Sequence, residues 1–496
     1  MGVAVSGWKL AGRVSELGQL GVVSGTGLAI VLTRGLQIGD PTGKLRHALR
    51  HFPIGGVADR ILAKYFNDGG KAAGAPFKLA PMPTLHPGPA LVELIVAANF
   101  VEVFLAKDGH DGIAGINYLE KIQLPTLPSL FGAMLANVDY VLMGAGIPRA
   151  IPGVLDKLAN GEPVELKIDV AGALPGEEFL SRFDPGRFCA AAPSVLSTLK
   201  RPKFLGIVAS ATLAMTLAKK ASGRVDGFVV EGDRAGGHNA PPRGPLQLTD
   251  TGEPVYGERD VVDLQKIRDL GLPFWLAGSY GRAGKLAEAM RLGAAGIQVG
   301  TAFAFCAESG IEPELKQRAI QLSRLGQARV FTDPVASPTG FPFKVVQMSE
   351  TLSDAAEYMA RERICDLGYL RQVYRKADGT LGYRCASEPV ESYLRKGGTP
   401  ADAKGRKCLC NALAANAGLG QHRHGQPPEL ALLTAGDDVA DIAQFLRPGA
   451  DAYTARDVLR HLMAEPPPVN GNLVSHRRAG FEKIAESPDS PILSQK

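Results

Sequence analysis

The chain has 496 residues, of which 45% are hydrophobic and 21% are charged, as in an ordinary folded protein. Its formal net charge of +5 is small for this length, and no basic run is interleaved with aromatic residues, so we expect no nucleic-acid partner. Six cysteines are too few for a secreted disulfide framework. The sequence shows no signal peptide and no apolar run that predicts a membrane span, so we expect a cytoplasmic protein without a membrane partner.

Short β-rich runs alternate with amphipathic helical runs from the start of the chain to about residue 308. The predicted strands cover residues 20–24, 100–106, 140–143, 164–170, 204–209, 227–230, 274–277 and 296–299. This alternation predicts parallel strands joined by crossover helices, and seven or eight such units predict a TIM (β/α)8 barrel. The run at 164–170 is interpreted as an extra strand outside the barrel. A doubly wound open sheet is the alternative, which the absence of an early Gly-x-Gly-x-x-Gly fingerprint disfavours.

The pattern divides the chain into three parts. Residues 1–329 are predicted to form the barrel domain, and residues 330–465 a smaller appended region of helical and irregular structure. The change is marked by the proline-punctuated segment 331–342. Residues 466–496 are predicted to be a disordered tail, because they begin with a run of three prolines and are mostly polar after it.

A glycine pair and a histidine follow the predicted strand at 227–230. Gly236 and Gly237 would allow the backbone to approach a flat ligand closely, and His238 would then present its imidazole to that ligand. Imidazole can accept or return a proton near neutral pH. A lone histidine in a loop is more often an ordinary surface residue, but this position favours His238 as the catalytic residue.

Two later strands also end in glycine loops. Gly278, Ser279 and Gly281 follow the strand at 274–277, and Gly300 and Thr301 follow the strand at 296–299. Glycines free backbone N–H groups to face an anion, and the helix that follows adds its positive end. Such turns can also serve only as connections, but two at consecutive strand ends predict a phosphate-bearing cofactor.

Four cysteines, Cys365, Cys385, Cys408 and Cys410, lie in the appended region. Four thiols can bind zinc or an iron–sulfur cluster in a tetrahedral site. Only Cys408 and Cys410 are close in sequence, and no Cys-x-x-Cys occurs, so we predict structural thiols and no metal.

Four segments together resemble the nitronate monooxygenase family, also called the 2-nitropropane dioxygenase-like family. They are GQLGVVSG at 18–25, AGGH at 235–238, AGSYG at 277–281 and GAAGIQVGTAF at 293–303. The resemblance covers most of residues 1–310 and implies a TIM barrel that binds FMN. The wider superfamily also contains FMN-dependent enoyl reductases of fatty-acid and polyunsaturated fatty-acid synthesis, so these motifs indicate the cofactor better than the reaction.

The resemblance implies roles for particular residues. His238 corresponds to the active-site histidine. The phosphate loops fall on Gly278, Ser279, Gly281, Gly300 and Thr301, and Gly236 and Gly237 would contact the flavin through their backbone. Lys107 follows the predicted strand at 100–106 and would stabilise the anion of a reduced flavin, unless it is a solvated lysine. Gly2 corresponds to the end of a Gly-Met-Gly turn whose preceding first strand is missing, which implies either a start further upstream or a barrel that closes imperfectly.

The function implied by the resemblance is the oxidation of alkyl nitronates to a carbonyl compound and nitrite, with a small-molecule substrate and O2 as partners. His238 would bind or protonate the nitro group, or deprotonate a neutral nitroalkane. The alternative is an NAD(P)H-dependent enoyl-thioester reductase in which His238 donates the proton. A third interpretation is a scaffold subunit that has lost turnover. A homo-oligomer is compatible with all three.

Overall fold

A single parallel sheet forms the centre of the protein. The computed structural model describes residues 2–464. The strands of the sheet are β1 (Gly21–Ser24), β2 (Ala114–Leu119), β3 (Tyr140–Gly144), β4 (Lys203–Val208), β5 (Gly227–Glu231), β6 (Phe274–Ala277) and β7 (Gly296–Gln298). Each strand pairs in parallel with the next one along the chain. The predicted α/β class is confirmed, but the sheet has seven strands rather than eight, and within residues 2–464 no ladder joins β1 to β7.

Most of the strands predicted for the sheet are observed, but the one at 100–106 is wrong. Those residues lie in the helix Pro89–Lys107, and the second strand is β2 instead. By length and composition this helix could cross a membrane, but 72% of its apolar stretch is buried inside the protein. It packs against the helices Trp8–Glu16, Leu28–Gln37 and Thr126–Leu135. Because it is apolar on all sides, its sequence lacks the periodicity that distinguishes a helix from a buried strand.

Further helices cover the sheet and build the appended region. The α-helices are Trp8–Glu16, Leu28–Gln37, Lys44–Arg50, Val57–Tyr65, Pro89–Lys107, Thr126–Leu135, Ile151–Ala159, Pro185–Phe188, Ala211–Lys220, Leu264–Arg268, Lys285–Arg291, Thr301–Ala304, Pro313–Arg324, Ala355–Ala360, Val390–Arg395, Pro400–Ala403, Leu409–Ala415 and Ala455–Met463. The 3-10 helices are Pro193–Thr198, Glu258–Asp260 and Asp437–Phe445.

Three small sheets lie outside the parallel sheet. Val164–Lys167 pairs with Leu180–Phe183, Val330–Asp333 pairs with Phe343–Val346, and Val170–Ala171 joins the hairpin of Gln372–Arg375 and Leu381–Arg384. The prediction that residues 164–170 lie outside the barrel is confirmed, although they form two short strands.

The appended region shares a hydrophobic core with the parallel-sheet part. One buried cluster contains Leu10 and Phe305 together with Val346, Phe445 and Tyr453. The boundary near residue 330 stays a prediction, because side chains from both parts pack together. The predicted tail at 466–496 lies outside the described residues.

Candidate active site

A cavity lies at the carboxyl ends of the central strands. One side of it, called here the strand-end wall, consists of Asn117 from β2, Gly144 from β3, Ile207 from β4, Glu231 from β5, and the loop residues Gly236, Gly237 and His238. The empty space, its solvent-filled mouth included, is about 950 Å³. Carboxyl ends of parallel strands are where ligands bind in barrels and open α/β sheets.

The appended region forms the facing side of the cavity. This appended wall consists of Phe343, Leu367, Tyr369, Leu370, Leu409, Cys410, Leu413, Ala414 and Thr434. Most of these side chains are apolar. The appended wall is therefore the apolar half of the cavity, and the strand-end wall carries the polar groups. The appended wall was not predicted, because its residues are scattered over about ninety positions without a motif.

His238 is held at the boundary between the two walls. Its Nε2 lies 2.7 Å from Oγ of Ser337, and its ring packs edge-on against Phe343 at a centroid distance of 4.8 Å. Burial, with smaller effects from the positive charges of the N-terminal amino group and of Lys121, lowers the pKa of His238 to about 4. The imidazole is therefore neutral at ordinary pH, so it can accept a proton, although with this pKa it is a weaker base than an exposed histidine.

Gly236 and Gly237 bring the histidine loop against the appended region. A Cβ on Gly236 would lie 2.7 Å from the carbonyl carbon of Ala435, and Gly237 has a φ of +85°. The N–H of Gly237 donates to Oγ1 of Thr434 at 2.9 Å. A side chain at position 236 would separate the two walls. Packing therefore requires glycine at this position, independently of the predicted flavin contact.

The predicted phosphate loops already have partners within the chain. The N–H of Gly281 donates to Oδ2 of Asp438 at 3.0 Å, and Oγ1 of Thr301 accepts from the N–H of Gly436 at 2.8 Å. The loop after β6 therefore holds an anionic group, which is a carboxylate of the appended region. Ser279 has a φ of +59°, and its buried Oγ has no hydrogen-bond partner among the described residues.

Lys107 does not reach the cavity, and its predicted role is wrong. Its Nζ donates to Oδ2 of Asp139 at 2.6 Å and to the carbonyl of Asn137 at 2.7 Å. Asp139 directly precedes β3, so Lys107 lies at the amino ends of the strands, opposite the site. The error follows from reading the end of a helix as a strand. Gly2 is buried near the site, since its neighbour Val3 lines the cavity, and its flavin contact stays a prediction.

Two polar residues of the strand-end wall were missed by the sequence reasoning. Glu231 is the last residue of β5 and has no hydrogen-bond or ion-pair partner among the described residues, and burial raises its pKa to about 7. Asn117 is buried, and its Oδ1 has no hydrogen-bond partner among residues 2–464. A carboxylate that closes an apolar strand was the available signal for Glu231.

All six cysteines are free thiols. Cys410 lines the cavity. Cys365 lies against Cys385, and a hydrogen bond between the two thiols lowers the pKa of Cys385 to about 7. Within residues 2–464, no three His, Cys, Asp or Glu side chains are grouped so that they could hold a metal ion.

Fold and site together define an α/β protein with an acid–base cavity at the carboxyl ends of parallel strands. A family model described as nitronate monooxygenase matches residues 187–337. This segment contains β4 to β7, His238 and both glycine loops. The predicted resemblance to the nitronate monooxygenase family is therefore confirmed over these residues.

One curated relative is the (3aS,4S,5R,7aS)-5-hydroxy-7a-methyl-1-oxo-octahydro-1H-indene-4-carboxyl-CoA dehydrogenase of Mycobacterium tuberculosis (strain ATCC 25618 / H37Rv). It is 27% identical over 203 residues, which are 38% of this chain and 54% of the relative. The chain thus spans about half the length of the curated relative that it matches.

Two solved structures cover most of the chain. FabK from Thermotoga maritima has 15% identity and a TM-score of 0.41, and covers 92% of this chain and 88% of its own. Nitroalkane oxidase from Streptomyces ansochromogenes has 18% identity and a TM-score of 0.41, and covers 94% of this chain and 93% of its own. Neither identity is high enough to transfer an activity.

Proposed function

We propose that this protein is an FMN-dependent oxidoreductase that converts alkyl nitronates to a carbonyl compound and nitrite, with O2 as co-substrate. The observation that carries the proposal is the position of His238, which lies in a cavity at the carboxyl ends of the strands and inside the segment that matches the nitronate monooxygenase family model.

The cavity suits a flat ligand that has polar edges. Its apolar walls offer packing surface, and the unpartnered Oδ1 of Asn117 offers an acceptor for a ring N–H. Gly236 and Gly237 would let the backbone approach the ring. A phosphate bound by the loops after β6 and β7 would replace the carboxylate of Asp438 at the N–H of Gly281. Bound FMN would supply the electron acceptor of the reaction.

His238 would act on the substrate as a proton acceptor. Its low pKa leaves the ring neutral, so it can take the α-proton of a neutral nitroalkane or hydrogen-bond to the nitro group of a nitronate. Ser337 fixes the ring orientation through the contact at Nε2. The apolar walls exclude water from the reacting carbon.

The second candidate is an NAD(P)H-dependent enoyl-thioester reductase. The apolar appended wall favours it, because such a surface can pack against an acyl chain. Against it stands the pKa of His238 near 4, which makes the imidazole a poor proton donor at neutral pH.

The test is anaerobic reduction of the purified, FMN-loaded protein. We expect propane-2-nitronate to reduce the flavin and NADPH to leave it oxidised, with nitrite released once air is admitted. His238→Ala should lower the rate with neutral 2-nitropropane by about 100-fold or more, the range for general acid–base groups. His86→Ala, at an exposed histidine, is the control. A protein that binds no FMN, or that NADPH reduces rapidly, would overturn the proposal.

A further inference from the structure

A second empty space adjoins the cavity at the strand ends. This side cavity measures about 380 Å³ with its opening included, which is within the range of roughly 300–1,000 Å³ for ligand pockets. It shares five lining residues with the first cavity, namely Thr26, Gly27, Leu119, Ile122 and Tyr369. The proposed function leaves this space unused.

We propose that the side cavity binds the alkyl chain of the substrate, so that nitronates with a long chain are preferred to short ones. The identity of the head group rests on the proposed function. The binding of an alkyl chain rests on the position and the chemistry of the side cavity.

The side cavity lies inside the hydrophobic core of the parallel-sheet part. Ala29 comes from the helix Leu28–Gln37, and Ile95 comes from the helix Pro89–Lys107. Tyr118 comes from β2. All three side chains are buried and belong to the same core cluster. A ligand group that binds here is therefore removed from water, which favours an apolar group.

The polar side chains that line the side cavity are neutral at ordinary pH, because no Asp, Glu, Lys, Arg or His is among the described lining residues. Three of them are already hydrogen-bonded within the protein. The hydroxyl of Tyr118 donates to Oδ1 of Asn99 at 2.8 Å, and Nδ2 of Asn99 donates to the carbonyl of Ile95 at 2.9 Å. Oγ1 of Thr126 donates to the carbonyl of Ile122 at 2.8 Å. An alkyl chain therefore meets no charge here and takes no hydrogen-bond partner from these three groups.

The shared residues connect the two spaces. Leu119 ends β2, two positions after Asn117, and Ile122 follows it in the chain. Tyr369 of the appended region also lines both spaces. A substrate whose reacting carbon lies beside His238 can extend its chain past these residues into the side cavity. Each methylene group that is buried there should raise the affinity by about fourfold.

Primary alcohols are suitable probes, because they are neutral and differ from one another only in chain length. Calorimetry on the purified protein in the presence of FMN gives the affinity for each alcohol from 1-butanol to 1-decanol. We expect the affinity to rise by about fourfold for each added methylene until the chain fills the side cavity, and then to stop rising. The longest alcohol that still gains affinity defines the length limit of the side cavity.

Two variants should move this length limit in opposite directions. Ile95→Phe fills part of the side cavity, so the limit should fall to a shorter alcohol. Because about two methylene groups are then excluded, 1-octanol should bind about tenfold more weakly than it binds to the wild type. Ile95→Ala enlarges the same space, and the limit should rise to a longer alcohol.

Ile61→Phe is the matched control for Ile95→Phe. Both isoleucines are 4% exposed and belong to the same core cluster, but Ile61 lines neither cavity. This control should keep the length limit of the wild type. Thermal unfolding establishes that each variant is folded, and Ile95→Ala decides the question alone if Ile95→Phe does not fold.

Three results would overturn the proposal: 1-octanol binds no more tightly than 1-butanol to the wild type, no folded Ile95 variant changes the length limit, or Ile61→Phe changes it as much as Ile95→Phe. In steady-state kinetics, the KM of octane-1-nitronate relative to that of propane-2-nitronate should rise about tenfold in Ile95→Phe. The proposed function fails separately, if neither nitronate yields nitrite while alcohol binding still depends on Ile95.

Discussion

The two walls of the cavity differ in chemistry and in origin. The strand-end wall carries Asn117, Glu231 and His238 on strands or directly after them, where the parallel sheet fixes the backbone. The appended wall is mostly apolar and comes from one short strand, loops and a short helix between residues 343 and 434. The sheet thus supplies the acid–base groups, while the appended region supplies the surface that closes them off from water.

Buried ion pairs help to hold the appended wall. Glu429, with a side chain only 1% exposed, accepts from Arg361 at 2.6 Å and from Arg423 at 2.7 Å. Arg423 also contacts Asp366 at 2.8 Å, and Asp366 accepts from Asn411 on the helix Leu409–Ala415. This network joins the segments that carry Leu367, Leu409 and Leu413.

The largest expected effect is therefore on the stability of the appended wall. Glu429→Ala leaves Arg361 without its carboxylate and Arg423 with Asp366 alone, and loss of one partner from a buried ion pair costs about 3–5 kcal/mol. We expect the free energy of unfolding in urea to fall by about this amount. Glu165→Ala, which breaks an exposed pair with Arg182, should cost less than about 1 kcal/mol. Equal losses of unfolding free energy in both variants would show that the ion-pair network does not stabilise the appended wall.

The next largest effect distinguishes two kinds of substrate at the strand-end wall. In His238→Ala, oxidation of neutral 2-nitropropane should fall by about 100-fold or more, because the base is lost. Oxidation of preformed propane-2-nitronate should fall much less, since no proton has to be removed. Initial rates of nitrite release measure both. An equal loss with both substrates would contradict the role of His238 as a base.

These outcomes depend on residues that the sequence revealed to different degrees. Strands β4 to β7, the Gly236-Gly237-His238 loop and both glycine loops could be predicted, because apolar runs that end in glycine have a local signature. The helix Pro89–Lys107 could not, because burial on all sides erases its periodicity. Asp438 contacts the Gly281 amide although the two residues lie 157 positions apart in the chain, so no local sequence pattern predicts this contact.

A smaller effect concerns the appended wall as a selector of substrate size. Leu413 lines the cavity from the helix Leu409–Ala415. Leu413→Ala should raise KM for a long-chain alkyl nitronate by about tenfold, since losing contact with about two methylene groups, each worth about 0.8 kcal/mol, costs about 1.6 kcal/mol. The KM for propane-2-nitronate should stay within about twofold, because this substrate has no chain to reach the wall. A parallel rise for both substrates would place Leu413 outside the substrate path.

The smallest effect is the response to acid. Burial lowers the pKa of His238 to about 4, so the ring stays neutral and active as a base until the pH falls through that value. We expect kcat with neutral 2-nitropropane to be flat from about pH 7 down to about pH 5 and to decline only below it. A kcat that already halves near pH 6.5, the ordinary value for histidine, would contradict the buried position of the ring.

We propose the cavity at the strand ends as the site of a flavin oxidoreductase that takes electrons from a nitronate. Anaerobic mixing of the FMN-loaded protein with propane-2-nitronate, followed by flavin absorbance, tests it most directly. We expect the nitronate to bleach the flavin and NADPH to leave it oxidised. A flavin that remains oxidised with the nitronate but is bleached by NADPH would contradict the account and favour the enoyl-thioester reductase.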